Sequence, residues 1–173
     1  SLMMWADGGE LYTSGKLSSS LINCITQDKY GFIWVGTEYG LSRFDGYRFT
    51  NYLHNEKDST SITDNIISSF LVDKKGNLWI GCAKGLMRYN YETNDFTRLK
   101  FPDGRKPRIY SLVESHNGDI LMDTWHDTLG NLSGLRGRKM LKGYTYEQAM
   151  ENIPKGIGGD MCTVSNSTGL TIY

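Results

Sequence analysis

Short apolar runs alternate with glycine-containing turns along this chain. Phe32–Val35 and Leu78–Ile80 are apolar at every position, whereas a strand with one face in water would alternate apolar and polar residues. A continuous run of this length predicts a short strand that is buried on both faces. Such strands are typical of sheets that pack between other sheets.

The two runs lie inside two copies of one sequence pattern. Both copies read D-x-x-G-x-[IL]-W-[VI]-G and then G-L-x-R-[FY]-[DN], and weaker copies follow at 116–124 and 159–173. Each copy has an anchoring glycine, namely Gly31, Gly76, Gly118 and Gly159. Successive glycines are 45, 42 and 41 residues apart. A repeat of about 40–45 residues with four short strands is typical of a β-propeller blade.

The pattern predicts four strands in each of the two strong copies. The expected bounds are Ile22–Gln27, Phe32–Thr37, Leu41–Phe44 and Arg48–Tyr52, then Ile66–Val72, Leu78–Cys82, Leu86–Tyr89 and Phe96–Leu99. The first two strands of each copy are joined by a turn in which the Asp hydrogen-bonds its own turn and the Gly supplies a positive φ. The predicted fold class is therefore all-β, a propeller fragment of about three to four four-stranded blades.

The repeat also sets the expected domain boundaries. We expect a lead-in or partial strand at 1–16, blades at 17–60 and 61–106, a divergent blade at 107–150 and a partial, divergent blade at 151–173. The motif is lost over 126–158, where Thr145–Gln148 has the sequence of a helix N-cap with a capping box. We favour a short helix near 145–153 or an insertion over a regular strand.

Composition and charge narrow the class of protein. The chain has 20 Gly, only 3 Pro and 12% aromatic residues, against a usual Gly content of roughly 7%, which fits tight turns between aromatic strands. Lys and Arg number 19 and Asp and Glu number 19, so we expect no nucleic-acid contact by this segment. We see neither a membrane-helix sequence nor a signal peptide. The scattered Cys24, Cys82 and Cys162 form no CxxC motif and are expected to be small buried residues.

The repeat resembles the two-component regulator propeller repeat. K-L-S-S-S-L-I-N-C-I-T-Q-D at 16–28 resembles the family lead-in G-L-S-S-N-x-V-N-x-I-x-Q-D, and D-G-Y-R-F at 45–49 is similar to its Y-D-G-x-x-F step. The resemblance covers about Leu17–Asn117 and continues weakly at Gly159–Tyr173. It implies a sensor segment of a periplasmic hybrid two-component regulator, best known from gut Bacteroidetes. It also implies detection of polysaccharide breakdown products and signalling to a histidine kinase outside this chain.

Ligand binding is predicted at one end of the blades. In a propeller, the loop between the second and third strands and the loop between blades open on the same end. The inter-blade loops are Leu53–Asp64 and Lys100–Lys106, and an aromatic platform with planar polar groups suits a sugar. The predicted ligand-binding residues are Glu38, Tyr39, Lys84, Trp125, His126 and Asp127. The alternative for Tyr39 and Trp125 is that they merely cap the blade packing.

Other functions have less support in the sequence. No catalytic residue, metal site or cofactor is predicted: His54, His116 and His126 have no metal-ligand spacing and are expected to be solvated loop residues. The D-x-x-G-x-x-W pattern somewhat resembles the Asp box of sialidase-type propellers, so a glycoside hydrolase is one alternative. That activity needs paired carboxylates across a pocket. A protein-interaction propeller is the other alternative.

The expected partners follow from the same interpretation. They are an oligosaccharide ligand and the rest of the sensor propeller. Open blade edges expose unpaired backbone and apolar surface, so we also expect an edge-to-edge or strand-swapped homo-oligomer. Four motif residues are assigned to the framework of the fold, namely Asp28, Trp34, Asp73 and Trp79.

Overall fold

Three antiparallel sheets of four strands make up the described part of the chain. The computed structural model describes residues 16–101, 104–116, 118–124, 132–136 and 139–144. The sheets contain β1 (Ile22–Gln27), β2 (Ile33–Thr37), β3 (Gly40–Phe44) and β4 (Phe49–Tyr52); β5 (Ile67–Val72), β6 (Leu78–Cys82), β7 (Gly85–Asn90) and β8 (Asp95–Leu99); and β9 (Ile109–Glu114), β10 (Ile120–Thr124), β11 (Leu132–Arg136) and β12 (Lys139–Tyr144). Each sheet follows the chain order, as in a propeller blade.

The predicted all-β fold is confirmed, and the eight strands predicted in the two strong copies agree with the structure to within one residue at each end. Among the described residues, no helix is long and apolar enough to cross a bilayer. The helix considered near 145–153, the partial fourth blade at 151–173 and Cys162 lie outside the described residues.

The three blades share one register between their first two strands. Cys24 pairs with Gly36, Ser69 with Gly81, and Ser111 with Asp123, and an irregularity in the pairing lies next to each of these pairs. Equivalent positions of the blades can therefore be assigned residue by residue. β1 lies against β5, and β5 lies against β9, so the first strand of each blade is the inner one.

The core is built at the contacts between blades. Trp34 of the first blade is fully buried in a cluster with Ile67 and Ile80 of the second. Trp79 of the second blade is buried in a cluster with Ile109 and Ile120 of the third. Each motif Trp thus packs on the following blade, which explains why β2 and β6 are apolar on both faces.

A glycine in the second strand of the first two blades lets adjacent blades approach closely. A Cβ atom added at Gly36 would lie 2.5 Å from Cγ2 of Ile67, and one added at Gly81 would lie 2.6 Å from Cγ2 of Ile109. Both distances are too short for any real side chain. The W-[VI]-G part of the motif is therefore a packing requirement of the joint between blades.

A side-chain hydrogen bond completes each joint. Asn23 Nδ2 donates to the carbonyl of Ile67 at 2.9 Å, and the Ser68 hydroxyl donates to the carbonyl of Ile109. Asn23 and Ser68 occupy equivalent positions in β1 and β5. The two joints are thus built in the same way.

Candidate functional site

The turns β2–β3 (38–39) and β6–β7 (83–84) lie at the same end of their blades as the loops that follow β4 and β8; this end is called the rim. Neighbouring strands are antiparallel, so the chain leaves β2 and β4 at the same end of a sheet. Hydrogen bonds join these pieces: Gly40 N donates to Asn65 O at 2.6 Å, and Ala83 N donates to Ile66 O at 2.9 Å. The expected grouping of these loops is what the structure shows.

The β2–β3 turn presents an aromatic ring to solvent. The Thr37 hydroxyl accepts a hydrogen bond from Tyr39 N at 3.0 Å and donates one to Gly40 O at 2.7 Å, which fixes the turn from inside. Tyr39 is 58% exposed, and Glu38 is half-buried. This exposure leaves the Tyr39 ring available to a ligand.

Lys84 lies in the wall of a cleft at the rim. The cleft has a volume of about 540 Å³ and runs between the β6–β7 turn, β8 and the two inter-blade loops. Phe96 and Phe101 contribute to its wall and are themselves buried. Lys84 Nζ lies 3.9 Å from a carboxylate oxygen of Asp64, with the Lys84 side chain 65% exposed, so this ion pair holds the lysine only loosely.

The charged side chains in the described wall of this cleft are all basic. Among the thirteen wall residues that the structure describes, five are basic and none is acidic; the basic ones are Lys84, Arg98, Lys100, Arg105 and Lys106. In the whole chain, basic and acidic residues are equal in number. The described wall of the cleft is therefore richer in basic groups than the chain as a whole, with Asp64 beside Lys84 as a neighbouring carboxylate.

Arg98 also ties the first inter-blade loop to β8. Its guanidinium donates to the carbonyls of Asp58 and Ser61 at 3.0 Å and to the Ser61 hydroxyl at 2.9 Å. The loop is thereby held at the cleft, and its residues Ser59 and Thr63 contribute hydroxyl groups to the wall. This arginine is both a structural anchor and part of the positive charge.

The structure does not unite all the predicted ligand residues. Lys84 is in the cleft wall, whereas Glu38 and Tyr39 belong to the first blade and are not among the wall residues. Trp125, His126 and Asp127 lie outside the described residues, so their role stays a prediction.

The loop Lys100–Lys106 was expected at the rim, but neither its basic residues nor Arg98 were predicted to line a site. Three cations in seven residues, at positions 100, 105 and 106, were a signal that could have been used.

The opposite end of the blades carries the Asp-containing turns. Asp28 accepts hydrogen bonds from Tyr30 N at 2.9 Å, Phe32 N at 3.0 Å and Trp34 Nε1 at 2.8 Å. The Tyr91 hydroxyl of the second blade also donates to Asp28, at 2.9 Å. These contacts give Asp28 the framework role that its motif predicts.

The second copy repeats this arrangement, and its hydrogen bonds shift the pKa of the Asp. Asp73 accepts from Lys75 N at 2.9 Å, from Asn77 N at 2.8 Å and from Trp79 Nε1 at 2.9 Å. Burial alone would raise the pKa of Asp73, but the hydrogen bonds from Trp79, Asn77 and Lys75 outweigh burial and lower the pKa below its usual value. Asp73 is thus held ionised, which suits a turn anchor and not a proton donor.

Metal binding has no support in the described ranges, which contain no cluster of three or more His, Cys, Asp or Glu residues placed to hold an ion. His54 is half-buried, and its Nδ1 lies 2.7 Å from the carbonyl of Ile62. The expectation of a solvated His54 is therefore wrong: it stabilises the inter-blade loop. His116 is exposed.

Comparison with known families identifies the repeat. The family model described as "Two component regulator propeller" matches residues 16–39 and 61–84. The chain carries two-component regulator propeller repeats. Each match ends in one of the rim turns, at Tyr39 and at Lys84.

A curated relative and a solved structure extend this result. A stretch of 47 residues, 27% of this chain, is 53% identical to histidine kinase P4 of Formosa agariphila and corresponds to 3% of that protein. The extracellular domain of a hybrid two-component system from B. thetaiotaomicron is 29% identical over 78% of this chain, with a TM-score of 0.65, and the match spans 19% of that domain's chain. The chain thus spans a small part of the length of both.

Virginiamycin B lyase from Staphylococcus aureus shares the fold alone. It is 16% identical, with a TM-score of 0.56, and the match covers 73% of this chain and 41% of the lyase.

Proposed function

We propose that this chain is a ligand-sensing propeller segment of a two-component regulator, that it works in the periplasm, and that it signals to a histidine kinase outside the chain. The observation that carries the proposal is the pair of regulator propeller repeats at 16–39 and 61–84. The 53% identity to a segment of a histidine kinase supports the link to a kinase. The similarity to an extracellular domain supports a location outside the cytoplasm.

The proposed ligand is an oligosaccharide released from a complex polysaccharide. The exposed Tyr39 ring offers an apolar platform of the type that packs on a sugar ring. The cleft beside Lys84 offers hydroxyl, amino and guanidinium donors for sugar oxygens. Both features lie on the rim.

The position of the cleft indicates how occupancy could be transmitted. A ligand shifts a conformational equilibrium only if it binds the two states with different affinity. The cleft wall combines the loop before β5 with the loop after β8, so a ligand there contacts both connections of the second blade. These two connections lead to the first and third blades, so we propose that a shift of either neighbouring blade is transmitted to the wall through them.

We propose that the segment is not catalytic. A glycoside hydrolase needs two carboxylates across its pocket, and the described wall of the cleft contains neither Asp nor Glu. The carboxylates of Asp28 and Asp73 are engaged by turn N–H groups and indoles at the other end of the blades.

Isothermal titration of the chain against a panel of oligosaccharides tests the proposal. We expect binding of at least one member and a weaker affinity for the Tyr39→Ala variant. Arg48→Ala, an exposed change in the β3–β4 turn at the opposite end, is the control. No heat from any member would contradict ligand sensing, and release of reducing sugar would reveal the hydrolase instead. Capture of a neighbouring transport protein without sugar binding would favour a protein-interaction propeller.

A further inference from the structure

The rim cleft contains more positive charge than a neutral sugar requires. Lys and Arg are 19 of 173 residues in the chain, yet they are five of the thirteen residues of the wall. Asp64 lies 3.9 Å from Lys84 Nζ, but the described wall itself carries no carboxylate, so an anion that enters the cleft is attracted by several nearby cations. The cleft is thus chemically suited to a negatively charged ligand.

The wall divides into a fixed part and an adjustable part. Arg98 is half-buried and is held by the carbonyls of the inter-blade loop. Lys84, Lys100 and Lys106 are exposed and line the same cleft. A fixed guanidinium can orient an anionic group, while flexible ammonium groups neutralise its charge.

The remaining wall groups suit a ligand that is more than an anion. The buried rings of Phe96 and Phe101 form apolar parts of the wall, and Ser59, Thr63 and Thr97 carry hydroxyl groups. Apolar surface and hydroxyl donors are what a pyranose ring contacts. A volume of about 540 Å³ lies within the usual range of roughly 300–1,000 Å³ for small-molecule sites.

We infer that the rim cleft beside Arg98 binds an oligosaccharide that carries sulfate or carboxylate groups. This inference rests on the proposed function, since it names the class of sensed ligand and places it between the two inter-blade loops. Sulfate esters and uronic carboxylates share the chemistry that matters here, a planar or tetrahedral anion recognised by basic side chains.

Titration of the 173-residue chain with four probes tests this assignment. The probes are a sulfated oligosaccharide, an oligouronate of the same length, a neutral oligosaccharide of that length and an oligonucleotide of matched charge. The titrations are run near 0.15 M salt, where the Debye length is about 8 Å and distant charges are screened. We expect one or both anionic sugars to bind, and to bind at least about ten-fold more tightly than the neutral sugar.

Two double variants locate the site. Lys100→Gln with Lys106→Gln removes two exposed charges from the cleft, and Lys74→Gln with Lys75→Gln removes two exposed charges from the β5–β6 turn at the opposite end. Net charge changes equally in both. We expect the cleft variant to weaken binding of the anionic sugar about ten-fold or more, and the turn variant to weaken it less than about two-fold.

The outcomes separate this inference from the proposed function. Binding of the neutral sugar alone, or equal binding by the two double variants, would overturn the inference and leave the sensor proposal standing. Equal affinity for the oligonucleotide would also overturn it, because the cleft would then be an unselective polyanion surface. If none of the three sugars bound, both the inference and the sensor proposal would be overturned.

Discussion

Asp28 and Trp34 are hydrogen-bonded partners, and the third blade lacks both. The indole of Trp34 donates to the Asp28 carboxylate at 2.8 Å. In the third blade, Ser115 takes the place of the Asp, since its N–H bonds the residue four positions on, as in the first two copies. Leu121 takes the place of the Trp by register. If only one of the two residues were replaced, the other would be buried without its hydrogen-bond partner. We therefore expect the Asp and the Trp to be lost together.

Replacing the Asp of the second turn should destabilise the fold strongly. Asp73→Ala leaves the N–H groups of Lys75, Asn77 and Trp79 without their acceptor. Hydrogen bonds to a charged group are worth about 1.5–3 kcal/mol each, and the losses are not fully additive. We therefore expect the free energy of unfolding to fall by about 3 kcal/mol. Urea denaturation followed by tryptophan fluorescence measures the change.

Asp45→Ala is a matched control for that variant. Asp45 also accepts two turn N–H groups, from Tyr47 and Arg48, but it is exposed and bonds no indole. Water can replace it, so we expect a loss of about 1 kcal/mol or less. Equal losses for the two variants would contradict the role given to the buried indole.

Stability should depend on pH through Asp73. Its folded-state pKa lies below the usual value despite burial, because Trp79, Asn77 and Lys75 hydrogen-bond the ionised form. The stabilisation is present above the unfolded-state pKa, near 4, and is lost as pH falls through the folded-state pKa. The difference in unfolding free energy between the unmodified chain and Asp73→Asn should therefore be constant from about pH 7 to 5 and shrink below about pH 4. A difference that grew in acid would show that the carboxylate is not stabilised by folding.

A methyl group at the joint between blades should be costly. Gly36→Ala places a Cβ 2.5 Å from Cγ2 of Ile67 and 2.5 Å from Sγ of Cys24. We expect a loss of about 1–3 kcal/mol, as for other over-packed sites. A double-mutant cycle with Ile67→Ala identifies the cause: the cost of Gly36→Ala should be smaller in that background, because one clashing atom has gone. Additive effects would place the cost elsewhere.

The cysteines next to the joints should resist alkylation in the folded chain. Burial raises the pKa of Cys24 and of Cys82 to about 12, despite backbone hydrogen bonds that act the other way. At about pH 8 only about one thiol in 10,000 is then the reactive thiolate. Peptide mapping after iodoacetamide treatment should find both unmodified, and both labelled once guanidinium has unfolded the chain. Rapid labelling of Cys82 in the folded chain would contradict its burial.

Exposed apolar side chains on and before β1 should promote self-association. On β1 and just before it, Leu21 is 64% exposed, Ile22 is 46% exposed and Ile25 is 61% exposed. We expect sedimentation velocity to show concentration-dependent dimers, and Leu21→Lys with Ile25→Lys to reduce them. A single monomeric species at high concentration would contradict the expected edge-to-edge or strand-swapped assembly.

The sequence predicted the blades well because their signal is local. Strands β1–β8 follow from apolar runs and turn residues that repeat in one stretch of chain. The grouping of Tyr39 and Lys84 on one rim followed from strand alternation alone. Each of these inferences needs only neighbours in sequence and the period of the repeat.

Contacts between distant residues were beyond that reasoning. Gly36 was recognised as a motif position, but its purpose depends on Ile67, which belongs to the next blade. Arg98 was missed because its importance comes from a loop about 40 residues earlier that folds over β8. A single sequence shows which residues recur, whereas the reason for their recurrence is a contact with a residue of the neighbouring blade.

The two joints between blades are built from the same kinds of contact. Gly36 receives Ile67 while Asn23 bonds the carbonyl of that residue, and Gly81 receives Ile109 while Ser68 does the same. A gene duplication that copies one whole repeat therefore creates two compatible surfaces at once, whereas a partial copy sets a side chain against an isoleucine. Growth of such a protein in units of whole repeats needs no new contact chemistry. Asp123, which stands at the glycine position of the third blade, marks a place where that uniform growth has been modified.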